Sequence, residues 1–248
     1  VNFQKHVLKK SFDFKKIILI IPIFLVVSII SVIYIKNFCN NNHTKVFYVY
    51  HYFCGLPLLM QIVLIPFFLF IIMDNEKEFL KYSIFIRFKD LKTWCNVQLL
   101  NILITSFIFT TVFNIFMWTT MIILDTKHFF MWDTLNLLII SFISQFIGWA
   151  LMGVIYYILA LTLQKLISSY FIEIFIIGVI SLATKPLSNF HVNIDPFWSN
   201  MFFIEHLKVE LIFKLPYIMS TLLNLMVCIT LIVASYFICI NKDFYWKE

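Results

Sequence analysis

The chain has 248 residues, 62% of them hydrophobic and only 13% charged, with a mean hydropathy of +0.93 and a formal charge of +6. So few charges cannot cover the apolar surface of a soluble domain of this size, which excludes a water-soluble globular enzyme or binding module. The basic balance does not point to nucleic acid, because the Lys residues cluster at the ends of apolar runs, the pattern of anchoring to anionic lipid.

Several runs approach or exceed the roughly 20 apolar residues that cross a bilayer as a helix, so the chain reads as an all-α, polytopic membrane protein made of a single transmembrane domain. Residues 1–16 place Phe3, Val7 and Leu8 at helical spacing beside Lys5, Lys9 and Lys10, which reads as a short surface helix or, equally, a basic tail. The first span is expected at about 17–35, with Pro22 near its start. Lys36–His51 reads as a short polar connection. The second span, about 53–73, contains Gly55, Pro57, Gln61 and Pro66 and is expected to kink.

Asp74–Trp94 is the one densely charged stretch between long apolar runs. Leu80, Ile84, Phe88, Leu91 and Cys95 fall on one helical face and Glu78, Lys81, Lys89 and Lys92 on another. Such a helix can seat on the membrane while offering its charges to a soluble partner, or it can be an ordinary amphipathic connection. The third span is expected at about 97–124, carrying Asn101 and Asn114. The fourth, about 135–163, contains Gly148, Ala150 and Gly153, small residues that let helices approach closely. A brief polar link, Gln164–Ser169, precedes a short fifth span at about 171–187, with Glu173 at its edge, where a carboxylate is expected to be solvated. Residues 188–215 form the longest segment between spans, with a helix start at Asp195-Pro196 and interfacial aromatics. The sixth span is expected at about 216–240.

Six spans place both termini on one side. Thirteen of the 19 Lys and Arg residues fall on that side, together with the charged segment, so the positive-inside rule makes both termini and Asp74–Trp94 cytoplasmic. Residues 188–215 are then extracellular.

The chemistry on offer is sparse. No span interior carries an Asp, Glu, Lys, Arg or His, which argues against proton relays and intramembrane catalysis. There is no HExxH and no GxSxG, and the chain is not expected to be an enzyme by itself. Cys39, Cys54, Cys95, Cys228 and Cys239 form no CxxC and no metal-ligand spacing, so no metal or cofactor is expected on this chain. None of the 4 glycines lies in a GxxxxGK[ST] context. Energy for any active transport must therefore enter through another subunit, and the charged segment is where such a subunit could press.

This order of parts resembles the ABC-2 type permease family of ABC transporters, whose architecture is that of type V exporters. Members are similar in having an N-terminal surface helix, six spans, a charged cytoplasmic coupling helix between spans two and three, and extracellular helices between spans five and six. Here those parts correspond to residues 1–16, Asp74–Trp94 and Asp195–Leu211. The run Glu76–Glu78, followed by Arg87 and Lys92, resembles the family's acidic-then-basic pattern, although the usual glycine-rich acidic stretch is reduced to DNEKEF.

The resemblance implies a permease in the bacterial cell membrane, paired with a second copy or a homologous permease and served by cytoplasmic P-loop ATPase subunits that bind ATP and Mg. It implies ATPase contacts at Glu76, Glu78, Lys81, Arg87, Lys89, Asp90 and Lys92, with a second cytoplasmic contact at Gln164 and Lys165. Small permeases of this kind resemble those that export antimicrobial peptides or give lantibiotic self-protection, so an amphipathic peptide or hydrophobic molecule is the expected cargo. Two other classes fit the composition: a non-transporting sensor or scaffold, and a lipid-acting enzyme using His191, Asp195, Glu205 and His206 of the outer segment.

Overall fold

Long apolar runs leave the backbone no solvent to bond with, and helices satisfy it within each segment. The chain accordingly folds almost entirely into helices in a computed structural model that describes residues 14–38, 45–55, 59–79, 88, 90–188 and 215–241, with no strand among them. The elements are α1 (Phe14–Phe38), α2 (Lys45–Gly55), a π-helical turn (Leu59–Leu64), α3 (Ile65–Phe79), α4 (Leu91–Leu124), α5 (Thr126–Phe129), α6 (Trp132–Leu163), α7 (Leu166–Ser188) and α8 (Leu215–Asn241). Three helices among the described residues are long and apolar enough to cross a membrane: α4, α6 over Thr134–Leu163 and α8 over Thr221–Asn241. Shorter apolar stretches lie in α1 at Ile21–Asn37 and in α7 at Leu166–Ile177.

Three expectations are corrected. Lys45–Gly55, expected within a polar connection and the start of a span, is a helix of its own whose Val46, Val49, Tyr50 and Phe53 are buried. The second span does more than kink: α2 ends at Gly55, and a π-helical turn precedes α3, with Pro66 as the second residue of α3. Proline brings no N–H to the preceding turn, so one bond of the α-helical ladder is missing where the π-helical turn meets α3. Asp74–Trp94 is not one continuous helix. Asp74–Phe79 continue α3, whereas Asp90 is extended (φ −151°, ψ 157°) and accepts a bond from the Thr93 N–H at 3.1 Å, capping a new helix that begins at Leu91. The short side chain of Asp satisfies an otherwise orphan amide, and that cap fixes where α4 starts.

The bundle is built on the antiparallel pair α4 and α6, with α8 packed on both. An aromatic cluster ties the first half of the chain to this pair. Phe68 of α3 lies 5.0 Å from Trp149 and 5.1 Å from Phe109, and Phe109 lies 4.7 Å from Trp149, measured between ring centroids. Phe24 of α1 meets Phe109 and Phe113 edge-on, and Phe53 of α2 meets Phe113 the same way. Such pairs contribute about 0.5–1.5 kcal/mol each beyond area burial, which matters where lipid removes the hydrophobic drive between helices.

Three hydroxyls on the buried side of α4 are satisfied locally. Thr105, Ser106 and Thr110 donate to the carbonyls of Asn101, Ile102 and Ser106, each at 2.8 Å, one turn back. Asn114 Nδ2 reaches across the seam to Gln145 Oε1 at 2.7 Å, and Ser144 and Thr221 share a hydrogen bond of 3.1 Å between α6 and α8. Gly153, expected to allow close approach, does so: a Cβ there would stand 2.5 Å from Ile102 Cγ2.

Ile102 is β-branched and fully buried, so it cannot swing aside. Gly153→Ala is expected to destabilise the purified protein by about 1–3 kcal/mol, and adding Ile102→Ala should recover part of that loss; additive losses in thermal unfolding would show that the two residues do not press on each other. A double-mutant cycle on Asn114 and Gln145 is expected to give a coupling of about 0.6–2 kcal/mol, the range of interhelical hydrogen bonds in membranes.

Candidate functional site

The ends of α3, α4, α6 and α8 converge. α3 ends and α4 begins within the charged segment, and the antiparallel course of α6 returns its C-terminal turns to the N-terminal turns of α4. The Tyr157 hydroxyl of α6 donates to Cys95 Sγ of α4 at 3.5 Å, and Cys239, near the end of α8, lies close to the same thiol. Gln164 closes this end of α6: it sits in the left-handed region (φ 54°), and its N–H bonds to Ala160 O at 2.9 Å, so that only Gln164 and Lys165 separate α6 from α7. A left-handed residue at a helix end reverses the chain in the fewest residues.

This geometry places the expected contact residues as follows. Asp90 and Lys92 are exposed at the start of α4, and Lys165 is exposed at the same end of the bundle, with Gln164 half-buried beside it. Glu78 lies in the last turn of α3. Lys81, Arg87 and Lys89 lie outside the described residues, as do residues 1–13 and His191, Asp195, Glu205 and His206. Glu76 departs from the expectation: it is 1% exposed, turned into the bundle rather than toward a soluble partner. The reason is its place in α3, whose Met73, Asn75 and Glu76 all face neighbouring helices while Lys77 is exposed. Asn75 Nδ2 donates to Thr105 Oγ1 at 3.3 Å, fixing that face of α3 against α4.

Glu173 is corrected as well. α7 begins at Leu166, two turns earlier than Glu173, so the carboxylate expected at a solvated edge is instead 1% exposed within the helix. Neither of its carboxyl oxygens has a hydrogen-bond partner, nor does Glu76 Oε1, and the amide of Gln98 in α4 is buried without one. Tyr156 of α6 lies within electrostatic reach of both Glu76 and Glu173, and its hydroxyl meets Leu166 O at 3.4 Å. One turn before Glu173, the Tyr170 hydroxyl donates to Pro66 O at 3.2 Å, pinning α7 to the start of α3. What converges here is therefore a buried layer of two carboxyl groups, an amide, two tyrosines and two thiols between helices. Among the described residues no three His, Cys, Asp or Glu side chains form a metal-binding group.

Sequence reasoning placed Glu76 on the surface and Glu173 at an edge because both flank apolar runs. The signal that would have corrected the second was the run Leu166–Phe171, which starts the helix before the apolar stretch begins in earnest. At the opposite end of α4, Asp125 caps α5 through the His128 N–H at 3.2 Å and meets His128 Nδ1 at 2.6 Å, which closes the short connection to α6. No protein-family model, curated protein or solved structure matches the chain.

Glu76 stands three residues beyond the apolar run that ends at Met73. Burial, and secondarily the neighbouring Cys95 sulfur, pushes its carboxyl from the usual 4.5 up to about 8. The folded protein then holds a proton that the unfolded chain releases, so stability attributable to this group falls as pH rises from about 4.5 through about 8. Thermal unfolding in detergent is expected to show the wild type losing stability across that window relative to Glu76→Gln; parallel curves for the two proteins would place Glu76 in water.

Proposed function

We propose that this chain is the membrane subunit of an ATP-driven exporter, in which a separate cytoplasmic P-loop ATPase supplies the energy and the bundle moves an amphipathic or hydrophobic substrate, an antimicrobial peptide being the favoured class. The observation that carries this reading is the meeting of the charged segment and the Gln164–Lys165 link at one end of the bundle, with Lys77, Asp90, Lys92 and Lys165 exposed there. A soluble subunit pressing on that end would touch the roots of α3, α4, α6 and α7 together, and α8 brings Cys239 close to Cys95 at the same end. Movement of one root would pass along helices of 15 to 34 residues toward the far end of the bundle.

Other support comes from what the residues can and cannot do. The apolar, helical build suits a membrane location. The chain has no phosphate-binding glycine loop, so ATP and Mg belong to the partner. Six spans, cytoplasmic termini, a bacterial cell membrane and a pair of permeases belong to this same reading, which rests on the layout resemblance to ABC-2 type permeases. Within it, Asp90, Lys92 and Lys165 are the contact residues best disposed for the ATPase, joined by Glu78, Lys81, Arg87 and Lys89 from the same segment, whereas Glu76 acts from inside the bundle.

The test is capture. The full chain, expressed with its chromosomal neighbours, is expected to retain a P-loop ATPase through purification, and reversing Lys81, Arg87 and Lys89 to Glu should release it. An ATPase that binds the triple variant as well as the wild type would overturn the contact. A scaffold or sensor is told apart by ATP itself: transport requires the spacing between labelled α4 and α8 to change when ATP is added, and an unchanged spacing would count against export.

A further inference from the structure

The hairpin of α4 and α6 carries an apolar tip at the end opposite the charged segment. Phe129 is buried there, but the three residues that follow it are not. Phe130 is 63% exposed, Met131 45% and Trp132 74%, the highest value of any large apolar side chain among the described residues. The backbone holds them in place. Asp125 accepts from the His128 N–H at 3.2 Å and meets the His128 ring at 2.6 Å, and Phe129 stacks edge-on with Phe130 at 5.1 Å. Met131 O then accepts from the Leu135 N–H at 3.0 Å as α6 begins.

The exposed side of α4 gives the depth of this tip. Its apolar members are Leu100, Phe107, Ile115, Ile122 and Ile123, interrupted by Thr119, whose hydroxyl donates to Ile115 O at 2.7 Å. Before Leu100 the exposed residues of α4 are Lys92 and Asn96, and the first exposed residues after Ile123 are Thr126 and Lys127. From Leu100 to Ile123 the helix rises about 35 Å at 1.5 Å per residue, which a modest tilt fits to the roughly 30 Å hydrocarbon layer of a bilayer. Asn114 meets Gln145 across the antiparallel seam, so Trp132 stands level with Lys127, about 6 Å beyond Ile123. The headgroup layer takes up roughly 5–8 Å on each side. Trp132 falls within it.

We infer that Phe130, Met131 and Trp132 bind the headgroup–acyl boundary of the bilayer leaflet opposite the charged end. An indole suits that depth, because its ring is apolar while its N–H needs a polar partner. Phe130 and Met131 add apolar area at the same turn with no charge to desolvate, and exposed Lys127 brings a cation to the level of the lipid phosphates. A tip whose backbone is fixed by Asp125 and His128 and whose side chains are held in lipid sets the depth of the α4–α6 hairpin. Lys92 then stands about 12 Å beyond Leu100 at the other end of α4, outside the hydrocarbon layer. The inference rests on a membrane location for the chain and not on export.

The experiment places the full chain in phosphatidylcholine vesicles whose acyl chains carry bromine either close to the headgroup or close to the chain end, and reads tryptophan fluorescence. The contribution of Trp132 is the difference between the wild type and Trp132→Phe, a conservative change at an exposed position that should keep elution and helical content unchanged. Bromine near the headgroup is expected to quench that contribution roughly twofold more than bromine near the chain end, as an interfacial indole requires. Iodide in the buffer should quench it only weakly. Three results would overturn the inference. Stronger quenching from the chain end would place Trp132 in the hydrocarbon, and quenching by iodide alone would place it in water. Quenching by none of the probes would mean that protein covers the tip, either a second copy of the chain or another segment of the same one. No ATPase takes part in the measurement, so failure here is distinct from failure of the exporter reading.

Discussion

The seam between α4 and α6 is the constraint on which the rest of the structure depends. Lipid offers apolar side chains no reason to leave it, so two long helices stay together only if their surfaces fit and their polar groups find each other. Gly153 lets the backbones close on Ile102, Asn114 and Gln145 bond across the middle, and Tyr157 reaches Cys95 near the charged end. The aromatic cluster around Phe109 and Trp149 then gives α1, α2 and α3 a surface to pack against, and α8 lies along both helices.

The Thr105, Ser106 and Thr110 hydroxyls of α4 are bonded one turn back to their own helix. The second span is different in kind. It is divided: α2 ends at Gly55, and a π-helical turn precedes α3. Irregular backbone at membrane depth is tolerated where it is buried in protein.

Buried carboxyl groups also change how the composition is interpreted. The spans carry few ionisable residues, which had argued against proton relays and intramembrane catalysis. Glu173 shows that the count was misleading by one helix boundary: a start at Leu166 moves the carboxyl from the edge of the span to two turns inside it. One group of this sort is enough to matter, because an unpaired charge in low dielectric costs more than most single contacts contribute.

The helical build and the presence of helices long and apolar enough to cross a membrane were legible in the sequence, because each rests on local composition and length. The small residues of the fourth span were rightly suspected, and Gly153 is where the suspicion is met. The facing of the helices was not legible. A span that is apolar all round carries no amphipathic stripe, so nothing local says which side meets lipid and which meets protein. The inward turn of Glu76 and the depth of Glu173 were therefore decided by the tertiary structure, since burial of a polar group depends on which neighbour covers it.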